Sequence, residues 1–270
     1  MKEFSGLLKR IKKMDVECKG MQFFDVKRIC QEIDVKGVYY FITPDHVELT
    51  GLPFHLKNFS EINSGMHFRS GQIVRTISAQ KSILAQAKIS ETVERDFSIY
   101  DMNNFLSVIS SHPDGVEIEI GEKNATIIGN SGRSKISYRF CDANMIVVAP
   151  DKDIVLSDPE ISFNLSEEDY GWIRKIAGIL QSPHIVIEST GDKVYISTRD
   201  MNNDSAHSDS LEIGDGNGST YKMIFRTEYF RFIPGAYSVQ ISSKGIGHFK
   251  HNTRDLQYWV TTETGSNYSN

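Results

Sequence analysis

The order of helical and strand patterns in this chain occurs twice, and this internal repeat constrains the fold more than any single motif. Each half contains a helical pattern, strand patterns joined by short turns, a second helical pattern and three closing strand patterns. In the second helical patterns, Phe105 of the first half corresponds to Phe230 of the second. Strands joined by short turns form antiparallel sheets, and helices with one apolar face pack on them. The repeat therefore predicts an α+β fold of two similar domains, each with two short helices on one face of its sheet.

The repeat also gives the predicted domain boundaries. They are an N-terminal extension at 1–53, a first domain at 54–148, an interdomain connector at 149–160, a second domain at 161–265 and a tail at 266–270. The connector contains two prolines and has no helical or strand periodicity. The extension includes a basic amphipathic pattern, which occurs in helices that bind membranes, proteins or nucleic acid. More often such a helix simply packs on the body of its protein, so the role of the extension is left open.

Composition excludes several classes of protein. With 35 acidic and 30 basic residues the formal net charge is −5, so any surface that binds nucleic acid has to be local. The three cysteines are scattered, which is typical of reduced cytosolic thiols and not of a disulfide framework or a zinc site. No apolar run approaches the roughly 20 residues that a membrane-spanning helix needs. We therefore expect a protein that works without membrane attachment.

No sequence motif for catalysis or metal binding is present. There is no phosphate-binding Walker loop and no G-x-S-x-G nucleophile turn. Residues 215–220 resemble the start of a calcium-binding loop, but Thr220 stands where that loop needs glycine and Arg226 where it needs a bidentate glutamate. The eight histidines have no metal-ligand spacing. We expect a protein with no enzymatic activity, no metal and no cofactor.

Three of the four predicted helices place a basic residue on the face that points away from the sheet. These residues are Lys57, Lys175 and Arg231, and Arg174 and Arg226 lie nearer the borders of the same faces. Exposed cations often serve solubility alone. Repeated on equivalent helices of an acidic protein, they predict one positive surface that suits a phosphate backbone and reads no bases. The second helix of the first half has no basic residue.

Two stretches of the first domain, LKNFSEINSGMHFRSGQIVRTIS at 56–78 and FSIYDMNNFLSVIS at 97–110, resemble the N-terminal domain of the sliding clamps of T-even-type tailed phages. The segments IVVAPDKDI and IPGAYSVQIS are similar to that family more loosely. The resemblance implies a DNA-clamp fold and a homotrimeric ring of two-domain subunits through which duplex DNA passes. It also implies a non-catalytic DNA polymerase processivity factor in the cytoplasm of a bacterial host. Its partners would be an ATP-dependent clamp loader, the phage DNA polymerase and the late transcription machinery of the phage.

The resemblance further implies roles for individual residues. Those expected to face DNA inside the ring are Lys57, Lys175, Arg231, Arg174 and Arg226. By analogy, the pocket for a partner peptide is expected on the outer surface near the connector, at Val147, Val148 and Pro150. The family begins near Phe54, so the extension has no counterpart in it.

Two other functions fit parts of the pattern. Duplicated β-rich domains also occur in structural proteins of virions, and a chain rich in aromatic residues can bind single-stranded nucleic acid. Single-strand binding needs exposed aromatic side chains between cations, whereas most aromatic residues here alternate into predicted cores, as Phe105, Phe230, Tyr258 and Trp259 do. The oligomeric state separates a ring from a virion protein.

Overall fold

The computed structural model describes residues 40–43, 46–49, 52–112, 116–129, 132–152, 154–156 and 158–269. The basic amphipathic pattern at the start of the chain lies outside the described residues. Residues 40–270 form one compact unit, within which the predicted domain boundaries stay a prediction. No helix in the described part of the chain is long and apolar enough to cross a membrane.

Among the described residues, the first half contains two α-helices and the second half one. The helices are α1 (Leu52–Ile62), α2 (Met102–Ser110) and α3 (Glu167–Leu180). The strands before the connector are β1 (Tyr40–Thr43), β2 (His46–Leu49), β3 (Met66–Phe68), β4 (Gly71–Ile77), β5 (Ile83–Val93), β6 (Phe97–Ile99), β7 (Val116–Ile120), β8 (Asn124–Gly129) and β9 (Lys135–Arg139). Those after it are β10 (Ile161–Leu165), β11 (His184–Thr190), β12 (Lys193–Arg199), β13 (Asp209–Asp215), β14 (Thr220–Arg226), β15 (Tyr237–Ser242), β16 (Ile246–His251), β17 (Leu256–Thr261) and β18 (Asn267–Ser269).

The strands form antiparallel sheets, as the short connections between them require. β1 and β2 form a hairpin, β3 pairs with β6, and β7, β8 and β9 form a three-stranded sheet in that order. The second half has a five-stranded sheet in the order β13-β12-β11-β14-β18. The largest sheet has six strands in the order β10-β15-β16-β17-β5-β4, and it joins the two halves.

The strand pairing repeats in the two halves as the sequence pattern predicts. The pair β3–β6 corresponds to β11–β14, the hairpin β4–β5 to β12–β13, and the meander β7-β8-β9 to β15-β16-β17. At the junction between the halves β17 pairs with β5, and Tyr258 lies opposite Ala85. Both residues are fully buried, so the hydrophobic core continues from one half into the other.

α2 and α3 each begin at a residue whose side chain caps the helix. The carboxylate of Asp101 accepts a hydrogen bond from the backbone N–H of Asn104 at 2.9 Å. The hydroxyl oxygen of Ser166 accepts from the backbone N–H of Asp169 at 3.0 Å and donates to its carboxylate at 2.6 Å. These bonds satisfy N–H groups that have no partner within the helix. The residues that the helices bury against the sheets include Leu56, Phe59, Met102, Phe105, Ile109, Tyr170, Ile173 and Ala177.

The predicted fourth helix is wrong, and the second half therefore has one α-helix instead of two. A single 3₁₀ turn spans Thr227–Tyr229, and the chain that follows it has no regular structure up to β15. Phe230, Phe232 and Ile233 are all buried there. In an α-helix, positions 230 and 232 would lie on nearly opposite sides, so a helix could not bury all three residues against the sheet. The segment therefore adopts an irregular backbone in place of the predicted helix.

Candidate nucleic-acid interface

Residues 230–234 join the two helices that carry predicted DNA-facing cations. On the α1 side, the amide of Asn58 donates to the carbonyl oxygen of Arg231 at 2.6 Å. The oxygen of the Asn58 side-chain amide accepts a hydrogen bond from the hydroxyl of Tyr258 at 2.8 Å. On the α3 side, the hydroxyl of Tyr170 donates to two carbonyl oxygens of the segment, at 3.1 and 2.9 Å. Because the segment is held from both sides, the outer faces of α1 and α3 belong to one surface that crosses from the first half to the second.

Four of the five predicted DNA-facing cations lie on this surface, which we call the cationic face. Lys57 is exposed on α1, Arg174 and Lys175 are exposed on α3, and Arg231 is exposed in the segment between the helices. Within the described residues, no ion pair involves any of these four side chains. Their charges are therefore available to an external anion.

Arg174 is positioned by its neighbours more than the other three. Its guanidinium group donates to the carbonyl oxygen of Phe232 at 3.4 Å and lies 5.9 Å from the centre of the Tyr170 ring. A guanidinium group over an aromatic ring is attracted by the ring's negative face. These contacts hold Arg174 against the segment that carries Arg231.

The fifth predicted cation, Arg226, is exposed but already paired. Its guanidinium group lies 3.1 Å from the carboxylate of Glu263 and 3.4 Å from that of Glu228. The Glu263 carboxylate, followed by Glu228, raises the pKa of Arg226. With two carboxylates at contact distance, Arg226 adds little positive charge to the cationic face.

Carboxylates border the cationic face at both ends. A groove of about 220 Å³ at the α1 end is lined by Arg226 and Arg231 together with Glu61 and Glu228. Another at the α3 end is lined by Arg174 and Lys175 together with Glu167, which lies in the first turn of the helix. The positive charge is thus confined to the middle of the face, which limits how strongly it can hold a polyanion.

The opposite face of the six-stranded sheet carries a small apolar cluster under the connector. The buried members of this connector cluster are Leu84, Ala149 and Trp259, and Ile77, Ile154 and Ile246 pack against them. Side chains alternate along a strand, so Leu84 and Trp259 point away from the main core that holds their neighbours Ala85 and Tyr258. The ring of Trp259 stacks on His248 with centres 4.9 Å apart.

The predicted partner-peptide residues lie beside the connector cluster but outside it. Val147 and Val148 are half-buried and Pro150 is exposed. The carbonyl oxygen of Val147 accepts a hydrogen bond from the side-chain amide of Asn63 at 3.1 Å, which fixes the chain just before the connector. The apolar contacts with the sheet come instead from Ala149.

Two arginines that the sequence reasoning did not single out hold the connector to the first half. Arg69 donates to the carbonyl oxygen of Ala149 at 3.0 Å, and its Nε lies 3.5 Å from the carboxylate of Asp151. Arg75 donates to the carbonyl oxygen of Asp151 at 2.7 Å and to its carboxylate at 3.3 Å. Both arginines lie in strand-rich sequence, where no local signal distinguishes a connector contact from an ordinary surface cation.

Among the described residues, β9 and β13 each pair on one side only, which leaves the other edge of each strand open. β9 is the last strand of the three-stranded sheet and β13 is the first of the five-stranded sheet. Lys135 and Arg139 are exposed on β9, whereas Glu212 and Asp215 are exposed on β13. Lys193 on the neighbouring strand contacts both of these carboxylates, at 2.9 and 2.8 Å, and its hydrogen bonds to them raise its pKa. The two open edges therefore differ in charge.

No group of three or more His, Cys, Asp or Glu residues that could hold a metal ion occurs among the described residues. The chemistry that the arrangement offers is the binding of an anion on the cationic face and of apolar groups at the connector.

Comparison with known proteins gives consistent matches. The family of the DNA polymerase processivity factor matches residues 52–148. A sliding clamp from Enterobacteria phage T4 is 31% identical over 218 residues, which cover 79% of this chain and 95% of that protein. A sliding clamp from Vibrio phage KVP40 is 28% identical over 213 residues, covering 77% of this chain and 95% of that protein.

A solved structure shares the fold at much lower identity. Proliferating cellular nuclear antigen from Entamoeba histolytica is 13% identical, with a TM-score of 0.57 that covers 77% of this chain and 93% of that chain. At this identity the likeness concerns the fold alone.

Proposed function

Since this chain belongs to the sliding-clamp family of DNA polymerase processivity factors, we propose that it forms a homotrimeric ring that encircles duplex DNA and tethers the phage DNA polymerase. The observation that carries this proposal is the cationic face, which spans both halves while the chain as a whole is acidic. Its four free cations suit sequence-independent contact with phosphates, and so small a number of screened contacts lets the ring slide.

Ring closure follows from the internal repeat. Within the chain, β17 of the second half pairs with β5 of the first. The strand that corresponds to β17 is β9, and the strand that corresponds to β5 is β13. We infer that β9 of one copy pairs with β13 of the next in the same antiparallel way, which also covers both open edges.

Charge and exposed apolar surface support this contact between copies. Lys135 and Arg139 on β9 face Glu212 and Asp215 on β13 when the two edges meet. Trp172 of α3 is 45% exposed and donates to the carboxylate of Asp209 on β13 at 3.1 Å. A neighbouring copy would cover this indole ring and remove its apolar surface from water.

The partners of the ring follow from its role. An ATP-dependent clamp loader opens and closes it on DNA, the DNA polymerase binds its outer surface through a short peptide, and late transcription factors of the phage are further partners. The site for the polymerase peptide is the connector cluster with Val147, Val148 and Pro150 at its border. The ring acts in the cytoplasm of the bacterial host and catalyses nothing itself. The alternative of a virion structural protein is not favoured by any of the relatives above.

Two measurements test the ring. Light scattering is expected to give about three times the 30.6 kDa of one chain. Protein loaded on circular DNA is expected to stay bound and to leave when the circle is cut, because a ring holds DNA by topology. A monomer at tens of micromolar, or equal retention on circular and linear DNA, contradicts the proposal.

The edge contact has a matched control. Arg139→Glu places a negative charge on β9 opposite the acidic β13 and is expected to shift the trimer toward monomer, since like charges across an edge pair repel. Lys244→Glu makes the same charge change in the turn after β15, away from both edges, and is expected to leave the trimer intact. A trimer unaffected by Arg139→Glu would exclude β9 from the contact.

A further inference from the structure

The irregular segment at residues 230–233 is held in place by tyrosine side chains. Because the segment is neither helix nor strand, its buried backbone groups need hydrogen-bond partners from elsewhere in the chain. The hydroxyl of Tyr170 bonds to two of its carbonyl oxygens, and the hydroxyl of Tyr237 donates to the carbonyl oxygen of Ile233. The hydroxyl of Tyr258 accepts from the backbone N–H of Ile233 at 3.1 Å. Three hydroxyl groups thus take the place of regular backbone pairing.

These three tyrosines lie in the core, where a hydroxyl group is costly unless it is bonded. Tyr170, Tyr237 and Tyr258 are all fully buried. Burial raises the pKa of each phenol above its ordinary value, so each keeps its proton and can donate it to an acceptor. A buried polar group without a partner costs about 1–3 kcal/mol. The bonds to the segment satisfy the hydroxyl groups and fix the backbone of the segment at the same time.

The bonds of Tyr258 form a chain that begins and ends on the segment. The N–H of Ile233 donates to the Tyr258 hydroxyl, which in turn donates to the side-chain oxygen of Asn58 at 2.8 Å. The amide nitrogen of Asn58 then donates to the carbonyl oxygen of Arg231 at 2.6 Å. Because the Asn58 oxygen is engaged by Tyr258, its nitrogen is turned toward the segment. The main chain at Arg231 is therefore fixed by one residue of each half.

Arg231 depends on this support more than the other members of the cationic face do. Lys57, Arg174 and Lys175 lie on helices, whose backbones fix where each side chain leaves the surface. Arg231 is exposed on a segment that has no regular backbone. A flexible side chain loses conformational entropy when it binds, and a fixed starting position reduces that loss.

We propose that Tyr258 and Asn58 are positioning residues for Arg231. They hold its main chain so that its guanidinium group meets the phosphate backbone of duplex DNA together with the cations of α1 and α3. This inference rests on the proposed function for the identity of the ligand, and it adds two residues that act on DNA binding through Arg231.

Hydrogen exchange of the backbone amides tests whether Tyr258 fixes the segment. Tyr258→Phe removes the acceptor for the Ile233 N–H and is expected to speed exchange in a peptide that contains residues 231–233 by about tenfold. Tyr221→Phe is the matched control, because Tyr221 is also buried but lies on β14 of the five-stranded sheet. It is expected to leave exchange in this peptide unchanged. Unchanged exchange in Tyr258→Phe overturns the proposal.

A double-mutant cycle tests whether Tyr258 acts through Arg231. The assay is the fluorescence anisotropy of a labelled duplex of about 30 base pairs at low salt, where sequence-independent binding is strongest. Tyr258→Phe is expected to weaken binding by about two- to tenfold, the cost of ordering one flexible side chain. In an Arg231→Gln background the same change is expected to alter affinity by less than about 1.5-fold, because no guanidinium group is left to position. A purely structural role of Tyr258 predicts the same factor in both backgrounds, and that result overturns the proposal.

Asn58→Ala provides a second test that leaves the buried tyrosine in place. It removes the hydrogen bond to the carbonyl oxygen of Arg231 and keeps the bond between Tyr258 and Ile233. We expect it to weaken duplex binding by a factor similar to that of Tyr258→Phe, and the two changes together to cost little more than either alone. Circular dichroism confirms that each variant is folded. Unchanged affinity in folded Asn58→Ala excludes the positioning role.

The two proposals fail separately. Trimer mass and retention on circular DNA report on the ring and do not depend on Tyr258. If the ring is confirmed and the cycle shows no coupling between Tyr258 and Arg231, the positioning role alone is wrong. If the protein is monomeric and the cycle shows the coupling, the positioning role stands and the ring does not.

Discussion

The second helix of the first half and its counterpart in the second half meet the same packing requirement with different backbones. α2 is a regular helix capped by Asp101, whereas the counterpart is a 3₁₀ turn without a side-chain cap, followed by irregular chain. Both place an aromatic ring in the core at the corresponding position, Phe105 in one and Phe230 in the other. The fold therefore requires the buried ring at this place and does not require the helix.

The difference changes the surface as well as the core. α2 carries no basic residue, while the irregular segment exposes Arg231 and connects to α1 through Asn58. Because the segment is not helical, Phe230, Phe232 and Ile233 are all buried. The carbonyl oxygen of Arg231 is then available to accept the hydrogen bond from Asn58. The cationic face is continuous because the second half departs from the pattern of the first.

The largest expected effect is on the free energy of unfolding, and it differs between the aromatic side chains of Phe105 and Phe230. Phe230→Ala and Phe105→Ala each leave a cavity and are expected to lower the free energy of unfolding by about 3–5 kcal/mol. The loss is expected to be larger for Phe230→Ala. The Phe230 ring lies 5.1 Å from the Phe232 ring and 5.3 Å from the Phe249 ring and is 1% exposed, whereas Phe105 is 5% exposed. Urea denaturation followed by circular dichroism measures both. A loss at Phe230 smaller than at Phe105 would mean that the aromatic cluster relaxes into the cavity.

A second effect concerns the surfaces of the two halves. Lys57→Glu combined with Lys175→Glu is expected to reduce polymerase stimulation by about tenfold or more, since each reversal turns a phosphate contact into a repulsion. The trimer mass is expected to be unchanged.

The control for that variant reverses the same two charges on the other face of the sheet. Lys88 on β5 and Lys250 on β16 are exposed and alternate with residues of the main core, so Lys88→Glu with Lys250→Glu changes the net charge equally. This control is expected to leave stimulation intact. Equal losses in the two double variants would show that net charge, and not the cationic face, governs DNA binding.

The smallest effect tests the caps. Asp101→Ala removes the acceptor for the Asn104 N–H and is expected to cost about 1 kcal/mol of stability. Asp101→Asn keeps an acceptor oxygen and is expected to recover most of that loss. Thermal denaturation of the two variants against the unchanged chain measures the difference. If alanine and asparagine behave alike at this position, the cap contributes nothing and α2 is held by its buried face alone.

Much of the fold was predictable because its signals are local. Asp101 and Ser166 are residue types that favour helix N-caps, and both cap their helices; strands joined by short turns pair antiparallel, as predicted. Prediction failed at residues 230–233, where a helical spacing of apolar residues competes with the hydroxyl of Tyr170, 60 positions earlier in the chain. No local pattern contains that contact.

The candidate site divides in the same way. That Lys57 and Lys175 are exposed was predictable from helical periodicity, which assigns each to the side opposite the buried residues. Arg231 is exposed as well, although the helix from which its exposure was predicted does not form. That Arg226 is already paired was not, because Glu263 comes from a segment 37 residues away. Arg69 and Arg75, which hold the connector, were missed for the same reason, since Arg75 is 76 residues from its partner Asp151.

The sequence by itself determined the duplicated α+β plan, the capped helices and the exposure of the helical cations Lys57 and Lys175, because each depends on local sequence patterns. Only the tertiary structure decided that α1, the irregular segment and α3 form one cationic face, that β9 and β13 remain open while β17 and β5 pair, and that the connector covers Trp259. These features depend on hydrogen bonds and ion pairs between residues distant in the chain, whose distances are fixed only when the whole core has packed.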